Sequence, residues 1–482
     1  MLFSPVPPHL DPCATTDHHP SSYPGAHRHS AVISTTEPWD SPLTLFAGEA
    51  YQVPMSETVL FGGVALGRHR VSELLPQLQG PDLHEATLRP LTGDRVSLIM
   101  RFEFTTRGVF CVDYCPAAAD TSSAAANPVV DDMSITLLPG RQRSSRPGLQ
   151  EAIDAERLGF TRAWLPERYN IKEAGVLLGA MGGVTSRIPL GPGPLSIAAR
   201  PPIVTASIAA TFQSLYGERF MLGLGRSNAL WLQGHGFTEQ GYQATVDRAR
   251  IMKQLWAGEV VNYEGPAGTY KHLTMIDRPE GLAPPPVVFF HLGGPAASRA
   301  AADPVWDEVA LCNLVSAEAM AESIAMTKSE AERQGRDPDS LYFIAPVTTA
   351  PDMGELETRA MVAARIVIGI QLPGMGERLI ELNGWDRDIV EDIRNHPQFA
   401  DMNRALIDHS FHRTGLLGPA ELVPERWMRH SAAVGSSEEV VAKLREFKQA
   451  GAHEVDLYGS SPTENARVIE LWRSTSNKKE RQ

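Results

Sequence analysis

Turns carrying polar residues, several of them glycine-rich, recur between residues 165 and 298 of this 482-residue chain. In FFHLGGPAAS, Gly293 and Gly294 stand directly before a helical run, with His291 just ahead of them. Amides at the start of a helix lack internal acceptors, and the helix dipole adds positive charge there. This turn is therefore the best physical site in the chain for a phosphate. His291 is either a polar ligand beside it or a satisfied core histidine. In LGLGRSN, Gly223 and Gly225 relieve crowding, and Arg226, Ser227 and Asn228 follow at the rim. A lone Gly-x-Gly is a weak phosphate signal. In LGPGPLSIAAR, Gly191 and Gly193 either let backbone approach a ligand closely or simply make a turn, and Ser196 and Arg200 offer polar contacts. In LPERYN, Glu167 and Arg168 are either ligand contacts or a solvated rim pair. The chain has no HExxH metal spacing, no G-x-S-x-G nucleophile elbow and no Walker loop.

Each of these turns ends an apolar run, so the elements that position them can be read next. Ile135–Leu138, RAWLP, RIPLGPGPLSI, ERFMLGLGRSN, PPPVVFFHLGGP, DEVALCN, LYFIAPVTTA and HEVDLYG read as strands alternating with helical patterns. Helix ends are marked locally: GLQEAIDAERLGF stops at Gly159, and SSEEVVAKLREFKQAG opens on a serine cap. Eight strands, each followed by a helix, imply an α/β fold closed as a (β/α)8 TIM barrel, with function in the loops after the strand C-terminal ends. Met353 to His430 is too long for one strand–helix unit and reads as a helical insertion after the seventh strand, a lid or dimer element.

Residues 1–130 read differently. They are rich in Pro, His, Ser and Thr, show little periodicity, and are expected to be a disordered or weakly folded extension ahead of a barrel domain at 131–475. Val96–Met100 and FEFTTRGVFCVDY are strand candidates within it. His18, His19, His27 and His29 form either a metal tract or, more simply, part of a tail. The break in character also makes Met133 a candidate natural start, which the mass of the native protein would test. The formal net charge of −13 argues against nucleic acid or an anionic membrane as partner. Four cysteines support neither a zinc site nor a disulfide scaffold, and no apolar run spans a membrane. With no signal peptide in MLFSPVPPHLDP, a cytoplasmic protein is expected.

GLQEAIDAERLGFTRAWLPERYNIKEA, RIPLGPG, ERFMLGLGRSN, PPVVFFHLGGPAASRAAA and GSSEEVVAKLREFKQAGAHEVDLY, in that order, resemble the luciferase-like flavin-dependent enzymes over about Asp132–Arg473. LPERYNIKEA is most similar to the F420-dependent branch. The resemblance implies a TIM barrel, frequent homodimers, a small-molecule substrate, and coenzyme F420, or alternatively FMN, in the barrel mouth. It implies that the Gly293–Gly294 turn holds the cofactor phosphate and that a nonprolyl cis peptide lies near Leu195–Ile197. It places Gly193, Ser196, Arg226, Ser227 and His291 beside the cofactor. Relatives in that branch carry Asp-His after the second strand and a glutamate after the fourth. Here Glu167, Arg168 and Asn228 stand at those places, and Glu167 is the remaining acid/base candidate. An FMN monooxygenase and a noncatalytic flavin binder are the competing readings.

Overall fold

The computed structural model describes residues 127–139, 144–168, 171–279, 281–404 and 407–479, together with six strands ahead of them. The chain divides into two units, Met1–Ala124 and Ala125–Gln482. In the first, His29–Ile33, His84–Leu88, Leu98–Thr105 and Gly108–Pro116 pair in that order. The first pair is parallel and the others antiparallel. Val59–Phe61 and Val64–Leu66 form a hairpin. The candidate Val96–Met100 overlaps the start of Leu98–Thr105, and FEFTTRGVFCVDY runs from within that strand into Gly108–Pro116. How residues 1–126 pack, and the side chains of the histidine tract, lie outside the described residues.

In the second unit eight parallel strands form a ring. They are β1 (Met133–Thr136), β2 (Ala163–Leu165), β3 (Leu190–Pro192, resuming at Leu195–Ser196), β4 (Leu222–Gly225), β5 (Val287–His291), β6 (Glu308–Leu311), β7 (Tyr342–Pro351) and β8 (Glu454–Tyr458). Pairing of β8 with β1 closes one side. On the other, β3 reaches β4 through Leu195–Ser196 and a bridge from Leu190 to Phe220. This is the expected barrel, with its first strand beginning at Met133 rather than Ile135. A Cβ on Gly191 would stand 2.3 Å from the Met221 carbonyl oxygen, and one on Gly223 would stand 2.2 Å from that of Pro192. Only glycine lets β3 and β4 lie this close. These two glycines therefore serve strand packing.

Strand alternation decides what faces the barrel axis. Trp164, Met221, Val288, Ala310 and Ile344 pack as one apolar layer inside the ring. Below it, at the strand N-terminal ends, the Arg162 guanidinium pairs with Glu454 at 2.6 Å and Glu308 at 2.7 Å. The Tyr342 hydroxyl donates to Glu454 at 3.3 Å. Along β8, Glu454, Asp456 and Tyr458 share one face. Asp456 accepts hydrogen bonds from Thr136 at 2.6 Å and Ser134 at 3.3 Å, and burial pushes its carboxyl up to about 8.

Helix ends follow their local signals. Gly159, at φ 85°, closes the helix Arg146–Leu158, and Ser436 with Glu439 forms a reciprocal capping box for Ser437–Gln449. Between β7 and residue 432, short helices run from Glu355 to Ser431 and include a π-helical segment at Arg359–Ala363. A short strand that the sequence did not announce, Ala432–Gly435, pairs with the end of β7. The cis bond among the described residues is Gly193–Pro194, an X-Pro bond rather than the nonprolyl one expected near Leu195–Ile197. A proline imide lowers the cost of cis relative to an ordinary amide. Among the described residues, no helix is long and apolar enough to cross a membrane.

Candidate active site

The C-terminal end of β5 leads into Gly293 and Gly294, at φ 77° and 91°, where an L side chain is strained. The Gly293 amide donates to His291 Nδ1 at 3.0 Å. His291 is only 6% exposed, and burial, reinforced by the Arg378 charge, pushes its imidazole down to about 4. The ring is therefore neutral at physiological pH. Because Nδ1 accepts, the proton resides on Nε2, a buried donor with no partner in the described protein. Alternation turns His291 outward with Phe289, on which it stacks at 5.3 Å, so it faces the helix layer rather than the axis.

The helix Met375–Asn383 of the insertion brings Arg378 over this turn. A Cβ on Gly294 would stand 3.3 Å from the guanidinium carbon. Arg378 Nη1 pairs with Glu381 at 2.6 Å, while Nε is buried without a partner. The Ser298 hydroxyl, in the helix Pro295–Ala301 that follows the turn, is likewise buried and unpartnered. A guanidinium, helix-terminal amides and an idle hydroxyl together make an anion cradle. Arg378 was missed in the sequence because nothing local to it marks which strand end its helix will cover.

At the end of β3, Ser196 pairs with Gly225 in register, and its hydroxyl is buried without a partner. Its amide donates to Glu167 Oε2 at 2.8 Å. Glu167 Oε1 takes Arg200, whose other arm reaches Glu173 at 2.5 Å. Burial raises the Glu167 carboxyl while Arg200 and the Ser196 amide oppose it, the net direction being upward. Both carboxylate oxygens are thus engaged, and Glu167 braces the broken strand that presents Ser196.

The remaining predicted residues have partners of their own. Arg168 pairs with Asp408 of the insertion at 2.9 Å. Asn228 caps the helix Ala229–Gly234 through the amides of Leu230 and Trp231, and its side-chain nitrogen donates to the Pro373 carbonyl at 2.8 Å. Both ends of that amide are spent on backbone. Arg226 donates to the Gln240 carbonyl and Glu239 and lies 4.3 Å over the Tyr242 ring. Ser227 adopts φ 65°, a turn conformation. Gly193 gives space to Trp164, whose Cβ a side chain there would meet at 2.9 Å. Phe290, edge-on to Trp164 at 5.4 Å, fills the neighbouring space beside Gly223.

Buried donors without a partner among the described residues lie at two strand ends: the Ser196 hydroxyl at the end of β3, and His291 Nε2–H, the Ser298 hydroxyl and Arg378 Nε–H around the turn after β5. Among the described residues, no group of His, Cys, Asp and Glu could hold a metal ion.

Comparison with known proteins identifies the family. Residues 134–454 match the family model described as luciferase-like monooxygenase. A 5,10-methylenetetrahydromethanopterin reductase of Archaeoglobus fulgidus is 24% identical over 302 residues, covering 62% of this chain and 86% of the relative. An F420-dependent glucose-6-phosphate dehydrogenase of Microbacterium testaceum is 33% identical over 187 residues, covering 35% of this chain and 55% of the relative. Among solved structures, the coenzyme F420 dependent tetrahydromethanopterin reductase of Methanopyrus kandleri superposes with a TM-score of 0.58 at 21% identity, covering 71% of this chain and 97% of that one. At that identity the likeness is one of fold.

Proposed function

Because the chain belongs to the luciferase-like monooxygenase family, we propose that it is an oxidoreductase that uses coenzyme F420 to move a hydride to or from a small organic substrate. The observation that carries this is the Arg378 guanidinium lying over the Gly293–Gly294 turn with its Nε–H idle. It supplies the charge that a cofactor phosphate requires, at the strand end where barrels bind ligands. The two relatives quoted above are reductases or dehydrogenases, one of them F420-dependent by name. When bound, F420 supplies a carbon that accepts or donates hydride, and the protein's part is alignment and charge placement.

The residues divide that work as follows. Arg378, the amides after Gly294 and Ser298 hold the phosphate. His291 stays neutral, fixes the Gly293 amide and offers Nε2–H. Ser196 addresses the polar ring of the cofactor. Glu167 positions Ser196 rather than carrying the proton, since Arg200 and the Ser196 amide occupy its carboxylate. Asn228 and Arg168 hold loops.

Titration of the purified protein with F420 and with FMN, followed by fluorescence, tests the reading. Micromolar binding of F420 and turnover of the reduced cofactor with a panel of enones and alcohols are expected. Binding of FMN alone would turn the assignment to a flavin monooxygenase. Binding of neither would overturn it.

A further inference from the structure

We propose that Asp456, acting through the Thr136 hydroxyl, supplies the proton that accompanies hydride transfer, so that the acid of the reaction lies inside the barrel rather than at its rim. The hydride in this proposal rests on the oxidoreductase reading. The placement of the acid stands on separate residues.

Asp456 lies in the middle of β8, and strand alternation puts it on the axis side between Glu454 and Tyr458. In the parallel ladder it stands opposite Ser134 of β1. Thr136 is the next residue of β1 on that side, nearer the strand C-terminal ends. The carboxyl engages both hydroxyls, Thr136 Oγ1 at 2.6 Å and Ser134 Oγ at 3.3 Å. Asp456 is only 1% exposed, so it meets a ligand through the hydroxyl above it, at the end of β1. The sector of the ring around this pair is polar. Thr348 of β7 stands in register with Tyr458, and Asn313 after β6 donates to Thr348 Oγ1 at 3.3 Å. The facing sector presents Trp164, Met221 and Phe290.

The surroundings favour the acid form of Asp456. Among the described residues, no basic nitrogen is paired with it. The nearby Arg162 is taken by Glu454 and Glu308, and the Tyr342 hydroxyl also turns to Glu454. Tyr458, on the same face of β8, is the other titratable neighbour. Burial, with Glu454 adding to it against the Thr136 hydrogen bond, pushes the Asp456 carboxyl up to about 8, so it carries its proton at neutral pH. Other acids serve the role less well. Glu167 is occupied by Arg200 and the Ser196 amide. His291 stacks on Phe289, away from the axis. The Cys312 thiol, after β6, is pushed up to about 12 by burial and is too weak an acid.

A hydroxyl accepts and donates at once, so Thr136 can pass a proton on. Hydride from the reduced deazaflavin forms a C–H bond at a polarised double bond of the substrate, whose π electrons move to its heteroatom or far carbon. Thr136 Oγ1 gives its proton to that atom and takes the one that Asp456 releases. The substrate is reduced by two electrons, the deazaflavin is oxidised, and Asp456 is left as a carboxylate that solvent reprotonates. The expected substrate is therefore a carbonyl, an imine or an activated alkene.

The first measurement needs no cofactor. Infrared spectra of the full chain, wild type minus Asp456→Asn, should contain a protonated-carboxyl band that disappears with a midpoint near 8. The second uses reduced F420 and the enone that the wild type reduces fastest. Wild-type kcat should be level below pH 8 and fall above it, as the acid form is lost. Asp456→Asn and Thr136→Val should each lower kcat about 100-fold or more with KM within about twofold, and abolish that fall. Thr136→Ser keeps the hydroxyl and should restore most of the rate, which separates proton delivery from packing. Circular dichroism checks each variant. Absence of the infrared band, rates that both substitutions leave within about twofold, or a fall above pH 8 that persists in Asp456→Asn overturns the proposal alone. A wild type that reduces none of the enones overturns the oxidoreductase reading, and the proposal with it.

Discussion

One barrel holds arginines at both ends and treats them in opposite ways. At the strand N-terminal ends, Arg162 is 8% exposed and faces two carboxylates, Glu454 and Glu308, which hold its guanidinium firmly charged. At the C-terminal ends, Arg378 has an idle Nε, and Arg365 rests on carbonyls, a sulfur and an aromatic face. Neutralised charge at the lower end closes the barrel. At the upper end Arg378 pairs with Glu381 through one arm and keeps its Nε–H without a partner among the described residues. The lesson is that an arginine's partners, rather than its presence in a barrel, separate a structural role from a binding one.

The largest expected effect breaks this contrast most directly. Arg162→Met leaves two carboxylates buried together and should cost about 3–5 kcal/mol of folding stability. Arg365→Met removes no carboxylate partner and should cost about 1 kcal/mol or less, within the range of ordinary substitutions. Denaturant unfolding of both variants measures this, and equal losses would erase the distinction.

Next in size is Asp456, beneath the mouth. Its folded value of about 8 lies above the ordinary 3.8, so the native state holds a proton that the unfolded chain releases. Stability from this group is present below pH 4 and declines as pH rises toward 8, by at most about 1.4 kcal/mol per pH unit. Asp456→Asn removes the titration while keeping the shape. Its melting temperature should therefore gain on the wild type as pH goes from 5 to 8, and a constant difference would count against the buried neutral carboxyl.

Arg378→Met should raise the F420 dissociation constant by about 10- to 100-fold, corresponding to about 1.5–3 kcal/mol for charged hydrogen bonds. Unchanged affinity would move the phosphate elsewhere. Asn228→Ala should cost about 1 kcal/mol through the lost helix cap and leave the chemical step near wild type. A selective collapse of kcat would restore Asn228 to the reaction. The smallest effect concerns His291. With its value held down to about 4, it stays neutral through mildly acidic pH, so its titration should not alter cofactor affinity between pH 5 and 8. A transition near 6.5, the ordinary histidine value, would show it exposed.

Much of the fold was legible because its signals are local. Apolar runs of strand length alternate with capped helices, and Gly159 and Ser436 each mark a helix end through their immediate neighbours. The Gly293–Gly294 turn was legible for the same reason, since the glycines and the following helix start are contiguous. The readings of Glu167, Asn228 and Arg226 as ligand contacts rested on position at strand ends, and position does not reveal partners. Asn228 is consumed by backbone amides one turn away and by Pro373 far along the chain. Glu167 is consumed by Arg200 and by the broken strand. The strand Ala432–Gly435 was invisible because AAVG is too short to show a period.

By itself, then, the sequence determined the alternation of strands and helices, the closure of eight strands into a barrel and the glycine turn after β5, because propensity, capping and turn conformation act over a few residues. Only the tertiary structure decided which charges are neutralised. Arg162 meets Glu308 and Glu454, and Arg378 meets Gly294, through contacts between segments far apart in the chain. Whether a guanidinium is a strut or a ligand arm depends on what the closed ring places within about 3 Å of it.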